Sequence, residues 1–334
     1  EAIKRLEALP WQGNVRELEN AIERAVVLAQ SEFIEPDDLP NFEMSSEEKK
    51  TNGSITMEYL FYDNTVKTRH GAALTAVLDN KAQIAQVALA VFDRYAPILD
   101  IFNMPYLFES HDQVRKVITG SFGAKMKKVI YDGYMAKIQP IAYTYSGGYR
   151  MFYGSKPIHS LADFKGLRTT NQGAKPIVEY HKMLGLKVED GFTTRAESVE
   201  KHKNNKIDVE DSELNRLYVL SQDYPELLKH VKYVTETRHL FYLTMIIANS
   251  SFIQGLSLDE KKIVNDELQK LAETERVYSI KQEDEARAYL KSKGVEFIEL
   301  APAKREELVK ESKTLWTKYE ASLGPLIKEV QAIK

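Results

Sequence analysis

The stretch DEKKIVNDELQKLAETERVYSIKQEDEARAYLK, residues 259–291, decides the fold of this 334-residue chain more than any other. Its apolar residues recur at helical spacing along the whole stretch, and Gly294 ends the pattern. At about 1.5 Å per residue, a helix of this length measures roughly 45 Å, which exceeds one small lobe. The periodicity leaves two interpretations open: a helix lying across one large domain, or a strut that spans two lobes.

Shorter strand-like and helical stretches alternate through the rest of the chain. Residues 139–145, 242–248 and 295–300 are apolar and bounded by turn residues, which is typical of strands. Residues 112–134 and 174–184 have helical spacing. This alternation predicts an α/β protein with largely parallel sheets.

The composition is that of an ordinary globular protein, with 43% apolar and 28% charged residues and a formal net charge of −3. The small net charge gives no sign of a nucleic-acid-binding protein. The absence of cysteine excludes disulfides, thiolate catalysis and Cys-type zinc sites. No apolar run approaches about 18 residues, so no transmembrane helix is expected.

The N-terminal part differs from the remainder. Residues 1–40 carry apolar side chains at helical spacing, and residues 41–50 predict a polar linker or a short surface helix. No basic segment precedes an apolar one here, so no signal peptide is visible. Because the chain also begins without methionine, we expect a mature protein or a fragment.

The run WQGNVRELEN, residues 11–20, resembles the end of the AAA+ domain of sigma-54-dependent transcription activators, where W-P-G-N-V-R-E-L-E-N opens the last helices. The resemblance covers residues 1–40 and implies a short all-α segment, in which Arg16 corresponds to the arginine that senses a nucleotide phosphate. No G-x-x-x-x-G-K-[ST] run occurs in the chain. We therefore expect Arg16 to be an inactive remnant and the chain to lack ATPase activity.

The rest of the chain, from about Glu47 onward, resembles the DctP-type solute-binding proteins of TRAP transporters. Residues 100–108, DIFNMPYLF, are similar to the family's D-L-P-F-L-F segment. Residues 156–168, KPIHSLADFKGLR, are similar to its P-I-K-S-P-E-D-L-K-G-L-K run, and residues 249–258 fit its passage from a strand into a long helix. Since the resemblance starts at Glu47, we expect the family's first strand to be missing.

This resemblance implies a two-lobed fold of the periplasmic-binding-protein type, with the helix at about 259–291 spanning both lobes. Lobe I would comprise residues 51–147 and 238–275, and lobe II residues 148–237 and 276–334. It implies a periplasmic monomer that captures a small organic acid in the cleft and hands it to the membrane permease subunits of a TRAP transporter. The open alternatives are a regulatory fragment related to sigma-54 activators and an inactive chimeric or truncated product.

Arginine is the expected anchor for a carboxylate, because its planar guanidinium donates two parallel hydrogen bonds. Arg150 follows Gly147 and Gly148 in the position of a family arginine in a G-x-R context, so the resemblance implies that it binds the ligand. A surface cation after a turn is the alternative. A second family arginine falls on Thr170. Either Arg168, two residues earlier, partly substitutes for it, or the ligand is not a simple carboxylate; the alternative for Arg168 is a solvated residue.

Four further positions follow from the same resemblance. Ser212 stands for a family asparagine that contacts the ligand, and Phe192 lies near a family pocket aromatic. Tyr106 is a candidate for the pocket wall or for plain core. Asp211, with its neighbour Glu210, adds negative charge that would repel a dianion, and the acidic run around them predicts a solvated loop, with a hard-cation site as the alternative.

Catalytic and metal signatures are absent from the sequence. The seven histidines form no H-x-x-x-H or H-E-x-x-H pair, and no G-x-S-x-G elbow or G-x-G-x-x-G run occurs. We therefore expect no enzyme activity, no metal site and no cofactor.

Overall fold

The computed structural model describes residues 50–51, 54–55, 69–170, 174–189 and 194–334. The chain divides into two compact units, Glu1–Tyr59 and Leu60–Lys334, and every element described below belongs to the second. The helical segment predicted over residues 1–40 lies outside the described residues, as do Arg16 and Phe192.

The described helices are named α1 to α10 in chain order. They are α1 (Arg69–Leu78), α2 (His111–Thr119), α3 (Ser121–Gly133), α4 (Lys175–Met183), α5 (Arg195–Lys203), α6 (Leu214–Asp223), α7 (Ser250–Gly255), α8 (Leu258–Ser292), α9 (Pro302–Lys318) and α10 (Glu320–Ala332). Short 3-10 turns occupy Leu89–Phe92, Pro97–Asn103, Leu161–Phe164 and Pro225–Lys229. No helix in this described part of the chain combines the length and the apolar character needed to cross a membrane.

The strands are named β1 to β7 in the same way. They are β1 (Ile84–Ala88), β2 (Ile138–Gly154), β3 (Arg168–Thr170), β4 (Lys187–Glu189), β5 (Val209–Glu213), β6 (Tyr233–Asn249) and β7 (Glu296–Ile298). The main sheet has the order β1-β6-β2-β5, with β7 paired to the first residues of β6, and β3 and β4 form a separate sheet.

Most of the main sheet is antiparallel. β6 runs antiparallel to β1 and to β2, and β2 runs antiparallel to β5, whereas β6–β7 and β3–β4 are parallel. The prediction of largely parallel sheets is therefore wrong for the residues that the structure describes. β5 and β6 flank β2 and both run opposite to it, so the chain reverses its direction after β2 instead of crossing over to a parallel neighbour.

The long helix is confirmed as α8, which runs for 35 residues. Its first turn is fixed by a capping box, in which Ser257 and Glu260 each bond the other's backbone N–H. It then follows β2, because Gln269 donates to the Ile141 carbonyl at 3.0 Å and Arg276 donates to the Tyr143 carbonyl at 2.8 Å. One helix thus contacts β2 through successive turns.

β2 is longer than the sequence predicted, because it continues through a bulge. The register with β6 shifts between Thr144 and Gly148, and Ser146, Gly147 and Gly148 have φ values of 49°, 111° and 79°. The two glycines make this left-handed backbone accessible. The predicted strand at 139–145 ends where the bulge begins, and the ladder resumes after it.

Helices α2 and α3 replace the single helix predicted over 112–134. Gly120 separates them with an extended backbone (φ −89°, ψ −166°). A Cβ on Gly120 would lie 2.7 Å from the Lys116 carbonyl oxygen, so glycine permits this tight junction.

The two faces of β2 pack into two hydrophobic clusters. Phe152 belongs to the larger cluster, whereas Met151 and Tyr153 belong to a smaller one with Leu217 and Leu290. Successive strand residues point to opposite faces, so Arg150 shares the face of Phe152. The boundaries given above for the two lobes stay a prediction.

Candidate functional site

Arg150 lies within β2 and is buried, with 3% of the residue exposed. Strand β5 runs beside it, and Arg150 is opposite Glu213 while Phe152 is opposite Asp211. Because opposite residues of an antiparallel pair share a face, Asp211 lies diagonally from Arg150 on the same side of the sheet. The sheet register therefore brings these two predicted site residues together.

Asp211 holds the Arg150 guanidinium through two hydrogen bonds. Nε of Arg150 donates to Oδ1 of Asp211 at 2.8 Å, and Nη2 donates to the Asp211 carbonyl at 2.6 Å. The ring of Tyr242 lies 5.6 Å from the guanidinium carbon, a cation–π distance. The predicted alternative, a surface cation after a turn, is wrong, because both charged side chains are almost fully enclosed.

Two buried histidines complete the surroundings of Asp211. His181, on α4, places Nε2 2.8 Å from Oδ2. His239, on β6, places Nε2 3.2 Å from Oδ1 but without hydrogen-bond geometry, and its Nδ1 lies 2.8 Å from the Thr237 hydroxyl. We call Arg150, Asp211, His181 and His239 the Asp211 cluster.

The charges around Asp211 keep its carboxyl group, at the centre of the cluster, ionised. Burial alone would raise the pKa of Asp211, but the Arg150 charge and contacts with His239 and His181 hold it well below the usual value. Burial lowers the pKa of His239, even though Asp211 opposes that change. The result is a charged aspartate with one permanent cation and two imidazoles around it.

A second buried charge cluster lies on the opposite face of the sheet. Oε2 of Glu210 accepts from the Ser198 hydroxyl at 2.6 Å and lies 3.2 Å from His202 Nε2, while Oε1 accepts from Arg216 Nη2 at 3.3 Å. Burial would raise the pKa of Glu210, but Arg216 and His202 lower it to about 2. Tyr153 faces the same side.

The acidic run is thus a buried strand, and the prediction of a solvated loop is wrong. Glu210 and Asp211 are 0% and 2% exposed. Each carboxylate has its own guanidinium partner, and among the described residues no group of three or more histidine or acidic side chains could hold a metal ion.

Arg168 and Thr170 sit on β3. Arg168 is exposed, and its Nε and Nη2 donate to the two oxygens of Asp208 at 2.9 and 2.8 Å. Thr170 is buried. Arg168 is therefore paired with an acidic residue of the same chain, as Arg150 is.

Ser212 and Tyr106 lie at the edges of the Asp211 cluster. Ser212 points to the other face of β5 and donates to Glu213 Oε2 at 2.8 Å. Tyr106 is buried; its N–H donates to the His239 carbonyl at 2.7 Å, and its hydroxyl donates to the Thr237 carbonyl at 3.2 Å. Tyr106 thus contacts the strand segment that carries His239.

The sequence analysis missed His181 and His239. They stand 58 positions apart in the chain, so no short spacing marks them. The only indirect signal for these histidines lies in β5, where the apolar Val209 precedes two acidic residues. Such a pattern is compatible with a buried strand, and buried carboxylates need polar partners such as histidine.

Comparison with known proteins places the chain among bacterial binding proteins. Residues 28–322 match the family model described as DctP, bacterial extracellular solute-binding protein, family 7. The C4-dicarboxylate-binding periplasmic protein DctP of Vibrio cholerae is 24% identical over 281 residues, covering 83% of this chain and 79% of that protein.

Solved structures agree on the fold. A TRAP periplasmic solute-binding protein from Pseudomonas putida with bound D-glucuronate superposes with a TM-score of 0.76 at 23% identity, covering 86% of this chain and 90% of that one. One from Shewanella oneidensis with bound succinate gives 0.70 at 21% identity, covering 78% and 82%. The two-lobed α/β fold predicted from the sequence is confirmed.

The resemblance of residues 1–40 to an activator domain is not borne out. The family match already begins at residue 28, inside that segment and well before Glu47. The regulatory-fragment and inactive-product alternatives have no support from these comparisons.

Proposed function

The chain belongs to family 7 of the bacterial extracellular solute-binding proteins, and from that premise we propose that Arg150 anchors a small organic acid in its binding cleft. The protein is a solute-binding protein of the TRAP type, and its family consists of substrate-binding proteins rather than enzymes.

The observation that carries the proposal is the way Asp211 holds Arg150. A guanidinium has five N–H donors in a fixed fork, and Asp211 engages one on Nε and one on Nη2. Asp211 does not engage the donors of Nη1, and in this proposal they receive the carboxylate of the ligand. Burial strengthens such a contact, because charge-assisted hydrogen bonds gain strength where water is excluded.

The relatives support an acid as ligand. The Shewanella oneidensis protein holds succinate and the Pseudomonas putida protein holds D-glucuronate. Both molecules carry a carboxylate, which is the group that a buried guanidinium recognises best.

The other predicted site residues take supporting roles in this proposal. Thr170 would donate a hydrogen bond to the ligand, and Tyr106 and Phe192 would supply the pocket wall. Ser212 would not contact a ligand held by Arg150, because its side chain lies on the opposite face of β5 and donates to Glu213. Asp211 orients Arg150, and Arg168 would contact the ligand only after leaving Asp208.

The transport role follows from the family. We propose that the protein works as a monomer in the periplasm, where lobe closure captures the acid, and that it delivers the acid to the membrane permease subunits of a TRAP transporter.

A thermal-shift screen tests acid binding. Succinate, D-glucuronate and lactate are compared with their uncharged amides or methyl esters. At least one acid is expected to raise Tm, because a ligand that binds only the folded protein stabilises it by about 2.7 kcal/mol at a hundred times its Kd. A cooperatively folded protein that no acid stabilises would contradict the proposal.

A further inference from the structure

We infer that Asp211 makes the cleft selective for monoanions, that is, for acids with one carboxylate and an uncharged polar remainder. The inference rests on the proposed function, because it concerns which acid Arg150 receives. It assigns Asp211 a role in specificity in addition to its role in positioning Arg150.

The first step is the charge balance at Arg150. Its guanidinium is paired with Asp211 at 2.8 Å, and both side chains are almost fully buried. The only permanent positive charge within the Asp211 cluster is thus already balanced before a ligand arrives. A single carboxylate on the remaining donors gives this cluster a net charge of −1.

The second step concerns the neighbouring charges. Arg168 is neutralised by Asp208 at 2.8 Å, and Arg216 by Glu210 on the far face of the sheet. Arg305 keeps its charge, because its acceptor at 2.8 Å is the neutral Thr237 carbonyl, and its guanidinium lies 5.6 Å from the centre of the Tyr106 ring. Glu213, opposite Arg150, adds a further negative charge.

The two neighbouring histidines add no permanent charge. His181 and His239 are the titratable groups that α4 and β6 contribute to Asp211. Burial lowers the pKa of His239, which favours its uncharged ring. The second carboxylate of a dianion would then add an unbalanced charge close to Asp211.

Matched acids test the inference. Isothermal titration at about pH 8 compares succinamate with succinate, because the two share a carbon skeleton and differ in one charge. The monoanion is expected to bind at least about tenfold more tightly, the effect of one unbalanced charge at the effective dielectric of a protein. Equal or tighter binding of the dianion overturns the inference but leaves the proposed function intact. Binding of neither acid overturns both.

Variants test Asp211 itself. Asp211→Asn is expected to shift the affinity ratio toward the dianion by about tenfold or more, because Arg150 then lacks a counter-charge. Glu210→Gln is the matched control: it removes the same charge one residue away, on the other face, and is expected to leave the ratio within about twofold. Equal shifts in the two variants would overturn the inference.

Glu213→Gln provides a second variant should Asp211→Asn not fold. Glu213 is only partly buried, so its replacement is milder. It is expected to move the ratio toward the dianion by about threefold. An unchanged ratio in Glu213→Gln would count against the inference.

Discussion

Glu210 and Asp211 are adjacent in β5, yet their carboxylates are buried on opposite faces of the sheet, each paired with its own guanidinium. Glu210 pairs with Arg216 at 3.3 Å and Asp211 with Arg150 at 2.8 Å. The period of two along a strand produces this separation. Each member of one pair thus provides a matched control for the other.

The Arg150–Asp211 pair should be costly to break. Asp211→Asn leaves Arg150 charged and buried, and we expect the free energy of unfolding to fall by about 3–5 kcal/mol in urea denaturation. Asp132→Asn is the control, since its i,i+4 pair with Lys128 is exposed, and it should cost less than about 1 kcal/mol. Similar small losses in both variants would show that Asp211 does not balance Arg150.

Glu283 should make stability depend on pH. Burial raises the pKa of its carboxyl group from 4.5 to about 7, although Arg287 donates to Oε1 at 3.2 Å. Oε2 is buried and finds no partner among the described residues. As the pH rises from 4.5 toward 7, the unfolded chain releases this proton while the folded protein retains it. The stability that is present below pH 4.5 is therefore lost as the pH rises through about 7.

The direction of this pKa shift determines how large the loss of stability is and which variant controls for it. The loss is expected to reach up to about 3 kcal/mol, and Glu283→Gln should remove it from the pH profile of unfolding. Glu273→Gln, an exposed glutamate on the same helix, should leave the profile unchanged. A Glu283→Gln profile that matches the parent protein would count against the assigned pKa.

Glu275 should hold the bulge of β2 in place. Its two carboxylate oxygens accept from the backbone N–H groups of Tyr145 and Ser146, each at 2.8 Å. Glu275→Ala leaves both amides without this acceptor, so we expect a loss of about 2 kcal/mol and faster hydrogen exchange at these two amides. Glu273→Ala is the control. Unchanged exchange at Tyr145 and Ser146 would refute this role.

Gly154 should be the least replaceable glycine of β2. A Cβ there would lie 2.1 Å from the Asp208 carbonyl oxygen and 2.8 Å from the Val209 Cα, so Gly154→Ala must push β5 away. We expect a loss of at least about 3 kcal/mol, together with weaker acid binding, because β5 carries Asp211. Gly166→Ala, with a φ of +82° and no atom within 4 Å of the added Cβ, should cost only about 1–2 kcal/mol. Equal losses of stability in Gly154→Ala and Gly166→Ala would mean that β5 can move away from Gly154 at little cost.

Sequence patterns predicted the parts of the fold that local periodicity controls. The helix at 259–291 was confirmed as 258–292, because an uninterrupted helical repeat with a capping serine before it and a glycine after it needs no tertiary information. Strand direction was predicted wrongly, since antiparallel and parallel pairing depend on how distant helices return the chain.

The candidate site was predictable only in part. The family resemblance indicates Arg150 by its glycine context, but a run of acidic residues looks exposed until the opposite cations are known, so the sequence predicts a solvated loop at Asp211. His181 and His239 join that carboxylate from α4 and β6, and only the three-dimensional arrangement brings them together.

The central claim is that the Arg150 guanidinium anchors the solute carboxylate, and isothermal titration of the tightest-binding acid tests it most directly. Lysine keeps the charge but loses the planar fork, so Arg150→Lys should weaken binding at least about thirtyfold. Arg216→Lys makes the same change on the opposite face and should leave the affinity within about threefold. Parent-like affinity in a folded Arg150→Lys protein would contradict the claim.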